Sequence, residues 1–180
     1  MSVSPRLKTV FACFISAAIS SSVFIWMDRL MVAEFLGTVA LLIPGIAFYL
    51  ALDDVIGRAT SLAWRITMAI VITAGWYLAF ETATQIESPL YIAGAAGGAI
   101  GGVAMFVALL PHLERSTMRN AVLLVLNGAV IGAICVPAGF MFGAADNLHY
   151  LFLTFLPWQI GMGLIVAANP GQNAPFFALN

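Results

Sequence analysis

The chain reads as an all-α, polytopic membrane protein: a bundle of six transmembrane helices forming one integral membrane domain over residues 1–180. Three observations predict this. Of the residues, 62% are hydrophobic and 8% charged, against roughly half and about a quarter in a soluble domain, so charge is too scarce to coat a water-facing surface. The mean hydropathy of +1.03 leaves no room for the polar face that a surface helix in water carries. Finally, the apolar residues gather into six runs near the ~20 residues a helix needs to cross the hydrocarbon core, each bounded by charge or turn residues.

The first run, 10–27, follows Arg6 and Lys8 and stops at Asp28 and Arg29. A basic start, a short apolar stretch and the small Ala17 and Ala18 also describe a cleavable signal peptide. Charge placement separates the two. With six spans and a cytoplasmic amino terminus, Arg6, Lys8, Arg58, Arg65, Arg115 and Arg119 fall inside and only Arg29 outside. Without the first span, Arg6, Lys8 and Arg29 oppose the other four. The positive-inside rule selects the lopsided split, so the run is taken as a retained helix with both termini cytoplasmic.

The second span, 31–52, ends at Asp53 and Asp54, and the third covers 62–80. The fourth, fifth and sixth cover 90–110, 121–142 and 148–168. Glu81, Glu87 and Asp146 then lie in outer loops that hold no Lys or Arg. The tail after residue 168 carries Pro170, Gly171, Gln172 and Pro175 and reads as an irregular end. Loops of at most about a dozen residues leave no room for a soluble domain. Trp26, Trp64, Trp76, Tyr77, Tyr91 and Tyr150 sit near the predicted interfaces, where amphipathic rings prefer to lie. Trp158, beside Pro157 in mid-span, is expected to pack inside the bundle or face a cavity, since a buried indole N–H wants a partner.

The strongest local pattern is a glycine zipper in the fourth span. Gly94, Gly98 and Gly102 recur every four residues, with Gly97 and Gly101 in a parallel row, which together predict one flat face. Glycine lets helix backbones approach closely where lipid supplies no hydrophobic drive between helices. Gly128 and Gly132 repeat the device in the fifth span, and Ala12, Ser16 and Ser20 share its spacing in the first. Packing within the bundle is the expectation, and a homo-oligomer interface is the alternative.

Helix-breaking prolines and polar groups at depth suggest where a ligand would bind if there is one. Pro44, Pro137 and Pro157 fall inside the second, fifth and sixth spans, and each frees a backbone carbonyl that lipid cannot satisfy. Breaks at matching positions of two inverted halves point to a midplane transport site, here one built from Glu34, Pro44, Asn127, Pro137, Pro157 and Gln159. The halves share no alignable identity, so ordinary kinked helices are the simpler expectation. Asn127 and Gln159 are expected to hydrogen-bond between helices. Glu34 is expected to pair with Arg29 across the tight turn, with a proton or cation site in an outer vestibule as the alternative. Arg65 is expected to snorkel to the cytoplasmic headgroups within reach of Asp53 and Asp54, and those two aspartates to form a solvated, helix-capping turn.

Several functions are disfavoured. A net charge of −1 with scattered Lys and Arg gives no field for nucleic acid. Asp53 and Asp54 lack the further carboxylates a metal–diphosphate site needs. His112 and His149 fall on opposite rims and cannot share a haem or metal, and Cys13 and Cys135 lie at different depths, too far apart to pair. No Ser–His–acid set, HExxH, P-loop or dinucleotide fingerprint is present. The expectation is therefore a noncatalytic accessory or self-associating bundle without cofactor or metal. Its partners are the lipid bilayer and either its own copies or another membrane protein, in a cell (inner) membrane. A small channel or secondary transporter is the alternative.

Overall fold

A computed structural model of the chain describes residues 5–30, 34–56, 61–87, 89–110, 117–143 and 147–168, and all regular structure among them is helical. Six helices follow in order: α1 (Pro5–Leu30), α2 (Glu34–Ile56), α3 (Leu62–Gln85), α4 (Leu90–Leu109), α5 (Thr117–Gly143) and α6 (Asn147–Ala168). By length and composition α1, α3, α4 and α5 are apolar enough to cross a membrane, whereas the described apolar stretches of α2 and α6 are shorter, Leu42–Asp53 and Phe155–Ala168. The chain is thus an all-helical bundle with the character of a membrane protein.

The sorting of side chains shows which solvent the bundle is built for. On α1 the buried face is small and polar, with Thr9, Cys13, Ser16, Ala17, Ser20 and Ser21, while Phe11 and Phe14 point outward. On α5 the outward residues are Met118, Val122, Leu126, Val130 and Ile134. On these two helices large apolar groups turn outward in number, and the buried face of α1 is small, the reverse of a surface helix in a water-soluble bundle. The inversion suits lipid, where close backbone approach rather than water exclusion drives packing.

Each helix packs on its sequence neighbours, and α6 returns to α1, so the six close into a ring. Neighbouring helix axes lie about 8–10 Å apart, so a ring of six leaves space along its own axis that must be filled. α6 also touches α2 and α4, leaning into that space, and its Trp158 fills it. The indole packs on Phe48 of α2 at 5.4 Å and on Trp76 of α3 at 6.3 Å between ring centroids. A Cβ on Gly101 of α4 would lie 2.5 Å from Trp158 Cζ2. Trp158 thus packs inside the bundle, one of the two placements the sequence allowed.

Two findings concern the aromatic and glycine faces. Trp76 is buried against Phe155, with ring centroids 4.6 Å apart, because the helical period turns this position toward α6 rather than outward. The two glycine rows of α4 do not make one face. Gly94, Gly98 and Gly102 face α5, where added Cβ atoms would come closer than 3.0 Å to the backbone oxygens of Gly132, Gly128 and Leu124. Gly97 and Gly101, about 100° round the helix, face Ala79 O of α3 and Trp158. The relation with α5 is reciprocal, since added Cβ atoms on Gly128 and Gly132 would strike Gly98 O and Gly94 O. Each carbonyl therefore lies against the opposite glycine's Cα hydrogens, the arrangement of Cα–H···O contacts.

α2, α5 and α6 run through Pro44, Pro137 and Pro157 without interruption. At the junction of α2 and α3, Ser61 caps α3 by accepting a hydrogen bond from Trp64 N at 3.3 Å. Asp53, expected in a capping turn, lies within α2 instead and accepts from Arg65 of α3. The guanidinium donates through Nε to Oδ1 at 3.1 Å and through Nη2 to Oδ2, and Tyr49 Oη donates to Oδ1 at 3.1 Å. Arg65 sits in the first turn of α3, where the helix dipole disfavours a cation, and the Asp53 carboxylate offsets that.

A candidate functional site in a polar layer between two apolar clusters

The buried apolar side chains form two separate groups. The larger contains Cys13, Phe48, Leu52, Met68, Ile72, Met105, Leu124, Met162 and Val166 among its members. The smaller contains Ala17, Trp76 and Phe155. Going along four helices from the first group to the second, the chain passes a polar or backbone-breaking residue at one level. On α1, Ser16 lies between Cys13 and Ala17, and on α3, Thr73 lies between Ile72 and Trp76. On α6, Gln159 lies between Met162 and Phe155, and on α2, Pro44 and Gly45 follow Phe48.

Gln159 is fixed in this layer from both sides. One turn below it, Gly163 sits against Cys13, Thr9 and Leu52, and the Gln159 carbonyl accepts from Cys13 Sγ at 3.4 Å. One turn above it, Phe155 packs with Ala17 and Trp76. On the α2–α3 side of the layer, a Cβ on Gly45 would lie 2.6 Å from Thr73 Cα and 3.2 Å from Thr73 Oγ1, so α2 presses its backbone onto α3 there.

The layer holds an excess of unmet hydrogen-bonding capacity. Gln159 is 0% exposed and Ser16 2%. Gln159 Nε2 and Oε1, Ser16 Oγ, Thr73 Oγ1 and Trp76 Nε1 are all buried, and none reaches a hydrogen-bond partner. Other hydroxyls of the same helices behave in the usual way. Ser20 and Ser21 donate to the carbonyls of Ser16 and Ala17 at 2.8 Å, and Thr67 donates to Ala63 O at 3.0 Å. A buried polar group left unmet costs about 1–3 kcal/mol, and these five atoms belong to four residues of α1, α3 and α6.

The residues singled out from the sequence divide. Gln159 and Pro44 belong to the layer. Asn127 does not: its amide lies against Gly161, which is about 200° round α6 from Gln159. Among the described residues Asn127 Nδ2 and both Gln159 carboxamide atoms are buried and reach no partner, so these atoms do not make the expected interhelical hydrogen bonds. Pro137 and Pro157 are half-buried on α5 and α6. Gly94, Gly97, Gly98, Gly101, Gly102, Gly128 and Gly132 serve helix contacts within the chain, which leaves the Gly94, Gly98 and Gly102 face unavailable to a second copy. Glu34 opens α2, and its side chain, like those of Arg29 and His149, lies outside the described residues, as do Asp54's side chain and all of His112. Cys13 and Cys135 are free thiols. Among the described residues no group of three or more His, Cys, Asp or Glu converges. The layer contains no ionisable acid or base among them, so its chemistry is neutral hydrogen bonding. Ser16, Thr73 and Trp76 were not legible as site residues, because Ser and Thr in a helix ordinarily bond their own i−4 carbonyl.

No protein-family model, no curated protein and no solved structure matches this chain.

Proposed function

We propose that all six helices cross the bilayer, with both termini on the cytoplasmic face of a cell (inner) membrane, and that the protein is a rigid, noncatalytic bundle acting as a membrane-embedded accessory unit. α2 and α6 have 23 and 22 residues, a rise of about 33–35 Å against a core of about 30 Å, and each is flanked in the ring by helices fit to span. The observation that carries the functional reading is the filled axis. Trp158 reaches α2, α3 and α4 at once, and α4 is joined to α5 backbone to backbone, so among the described residues the ring axis is occupied at the level of Trp158. The surface left for function is the outward apolar face, which meets lipid and any neighbouring membrane protein.

The experiment is reconstitution into sealed vesicles together with photo-crosslinking from Phe11, Leu126 and Ile134, one at a time. The accessory reading expects ion and small-solute leakage equal to that of protein-free vesicles, and in cells one reproducible protein adduct from a single face. Saturable flux, or adducts to lipid alone from every face, would end it. The second reading, a small transporter or channel, is favoured by the polar layer with Pro44 and Gly45 beside it. It requires saturable flux that Gln159→Met abolishes.

A further inference from the structure

We propose that the helix ends carrying Arg6, Lys8 and Arg119 hold anionic phospholipids, with headgroups at the cations and acyl chains laid along the apolar stripes of α1 and α5 beneath them. The inference goes beyond the accessory role and rests on one part of that reading, that α1 and α5 cross the bilayer. Antiparallel packing collects the charges. Asp53 of α2 meets Arg65 of α3, Gly97 of α4 meets Ala79 of α3, Gly102 of α4 meets Leu124 of α5, and Gly163 of α6 meets Thr9 of α1. α1, α3 and α5 therefore begin at the end where α2, α4 and α6 finish. Arg6, Lys8, Arg65 and Arg119 share that end, and Asp53 is the one acid there among the described side chains. The opposite end shows Glu81 and Glu87, with no cation among the described side chains.

Arg65 is answered inside the chain by the Asp53 carboxylate, and the other three cations are not. Neither α1 nor α5 has an acid in its first turn, and none of Arg6, Lys8 and Arg119 forms an ion pair with a described residue. All three are exposed. Along α1 from Lys8 lie Phe11, Ile15 and Ile19, and along α5 from Arg119 lie Val122, Leu126 and Val130, all exposed. The same intervals of three, four and four residues recur in both helices and keep each stripe on the face of its cation. From Lys8 to Ile19, and from Arg119 to Val130, the rise is roughly 16 Å, one leaflet's share of a hydrocarbon core of about 30 Å. A phosphodiester at the cation therefore leaves its chains over the stripe. A soluble anion would use the cations and leave the stripes unused. A zwitterionic headgroup would bring its own ammonium to a rim where the described carboxylate is already taken by Arg65.

The test is native mass spectrometry of the full chain released from nanodiscs of equal parts phosphatidylglycerol and phosphatidylcholine with the same acyl chains, counting the lipids that stay bound. Each Lys or Arg at a membrane surface favours anionic over neutral lipid by roughly fivefold. Retained phosphatidylglycerol should therefore outnumber phosphatidylcholine by at least about fivefold. Arg6→Gln, Lys8→Gln and Arg119→Gln combined should lower that ratio by at least about threefold. Arg6→Lys with Arg119→Lys, which keeps the charge, should leave it unchanged, as should Glu87→Gln at the opposite end. Equal retention of the two lipids, or a ratio that the triple Gln variant does not lower, would overturn the proposal while leaving the spans intact. Retention of neither lipid would overturn it together with the bilayer crossing of α1 and α5. Phosphatidylglycerol displaced by an excess of inorganic phosphate would assign the cations to a soluble anion and overturn it as well.

Discussion

The α4–α5 seam allows one perturbation to be followed from geometry to a measured number. In Gly98→Ala the new methyl meets Gly128 O and C and then Ala129 N, all backbone atoms, so relief requires the helices to part rather than a side chain to rotate. Overpacking of this kind costs about 1–3 kcal/mol. Parting the helices weakens the reciprocal Cα–H···O contacts by a further ~1 kcal/mol, and the helix-propensity gain of Ala over Gly returns about 1 kcal/mol. The net loss is about 2 kcal/mol, which for a chain of this length lowers the melting midpoint by roughly 4–8 °C. Gly161→Ala is the matched control. Its methyl meets the Asn127 amide and Ile131 Cδ1, ends of flexible side chains that can move, so its midpoint should shift by less than about 2 °C. Thermal unfolding in detergent micelles, followed by tryptophan fluorescence, measures both. The double variant Gly98→Ala, Gly128→Ala should cost less than the sum of the single changes, because the first methyl already separates the backbones. A Gly98→Ala protein no less stable than Gly161→Ala would refute the claim that backbone contact holds α4 to α5.

Three further outcomes follow from the packing. Trp158→Ala should destabilise the bundle by roughly 3 kcal/mol, and Trp158→Phe by about half as much, in the same unfolding assay; a neutral Trp158→Ala would mean that the ring axis does not depend on the indole. Exchanging Asp53 and Arg65 in one protein should restore the detergent stability that Asp53→Asn or Arg65→Gln alone removes, since the pair and not either charge is what the α2–α3 junction uses; a double exchange worse than both single changes contradicts this. In single-cysteine variants a membrane-permeant thiol reagent should modify Cys135, which is partly exposed, at least about tenfold faster than Cys13, which is fully buried at the α1–α6 seam. Equal rates, read by mass spectrometry, would mean that this seam opens readily.

Helix positions were readable from the sequence because charges and turn residues interrupt the apolar runs, whereas neighbour relations were not. In water an amphipathic stripe names the buried face, but these helices are apolar almost all round, so periodicity does not say which face turns inward. Gly94, Gly98 and Gly102 were legible as a contact face, and only the structure assigns that face to α5 and the second row to α3 and Trp158. The azimuth of Trp76 was hidden for the same reason: its distance along α3 suggested an interface, and only the structure shows its ring turned inward onto Phe155. The polar layer was half legible. Gln159 stands out at depth, while Ser16 reads as a packing residue and Thr73 as an ordinary helix position. Their unmet hydroxyls become visible only when Ser20, Ser21 and Thr67 are seen to bond their own helices and these two do not.

Six crossings underlie every statement about inside and outside, and site-directed labelling from the two sides of intact cells tests them most directly. In a chain freed of Cys13 and Cys135, cysteines at Ser2, Gly57, Glu114 and Asn180 should resist an impermeant maleimide until the membrane is opened, while cysteines at Glu87 and Asp146 label at once. Ser2 and Asn180 labelling from opposite sides, or Gly57 and Glu87 from the same side, would contradict the six-span arrangement.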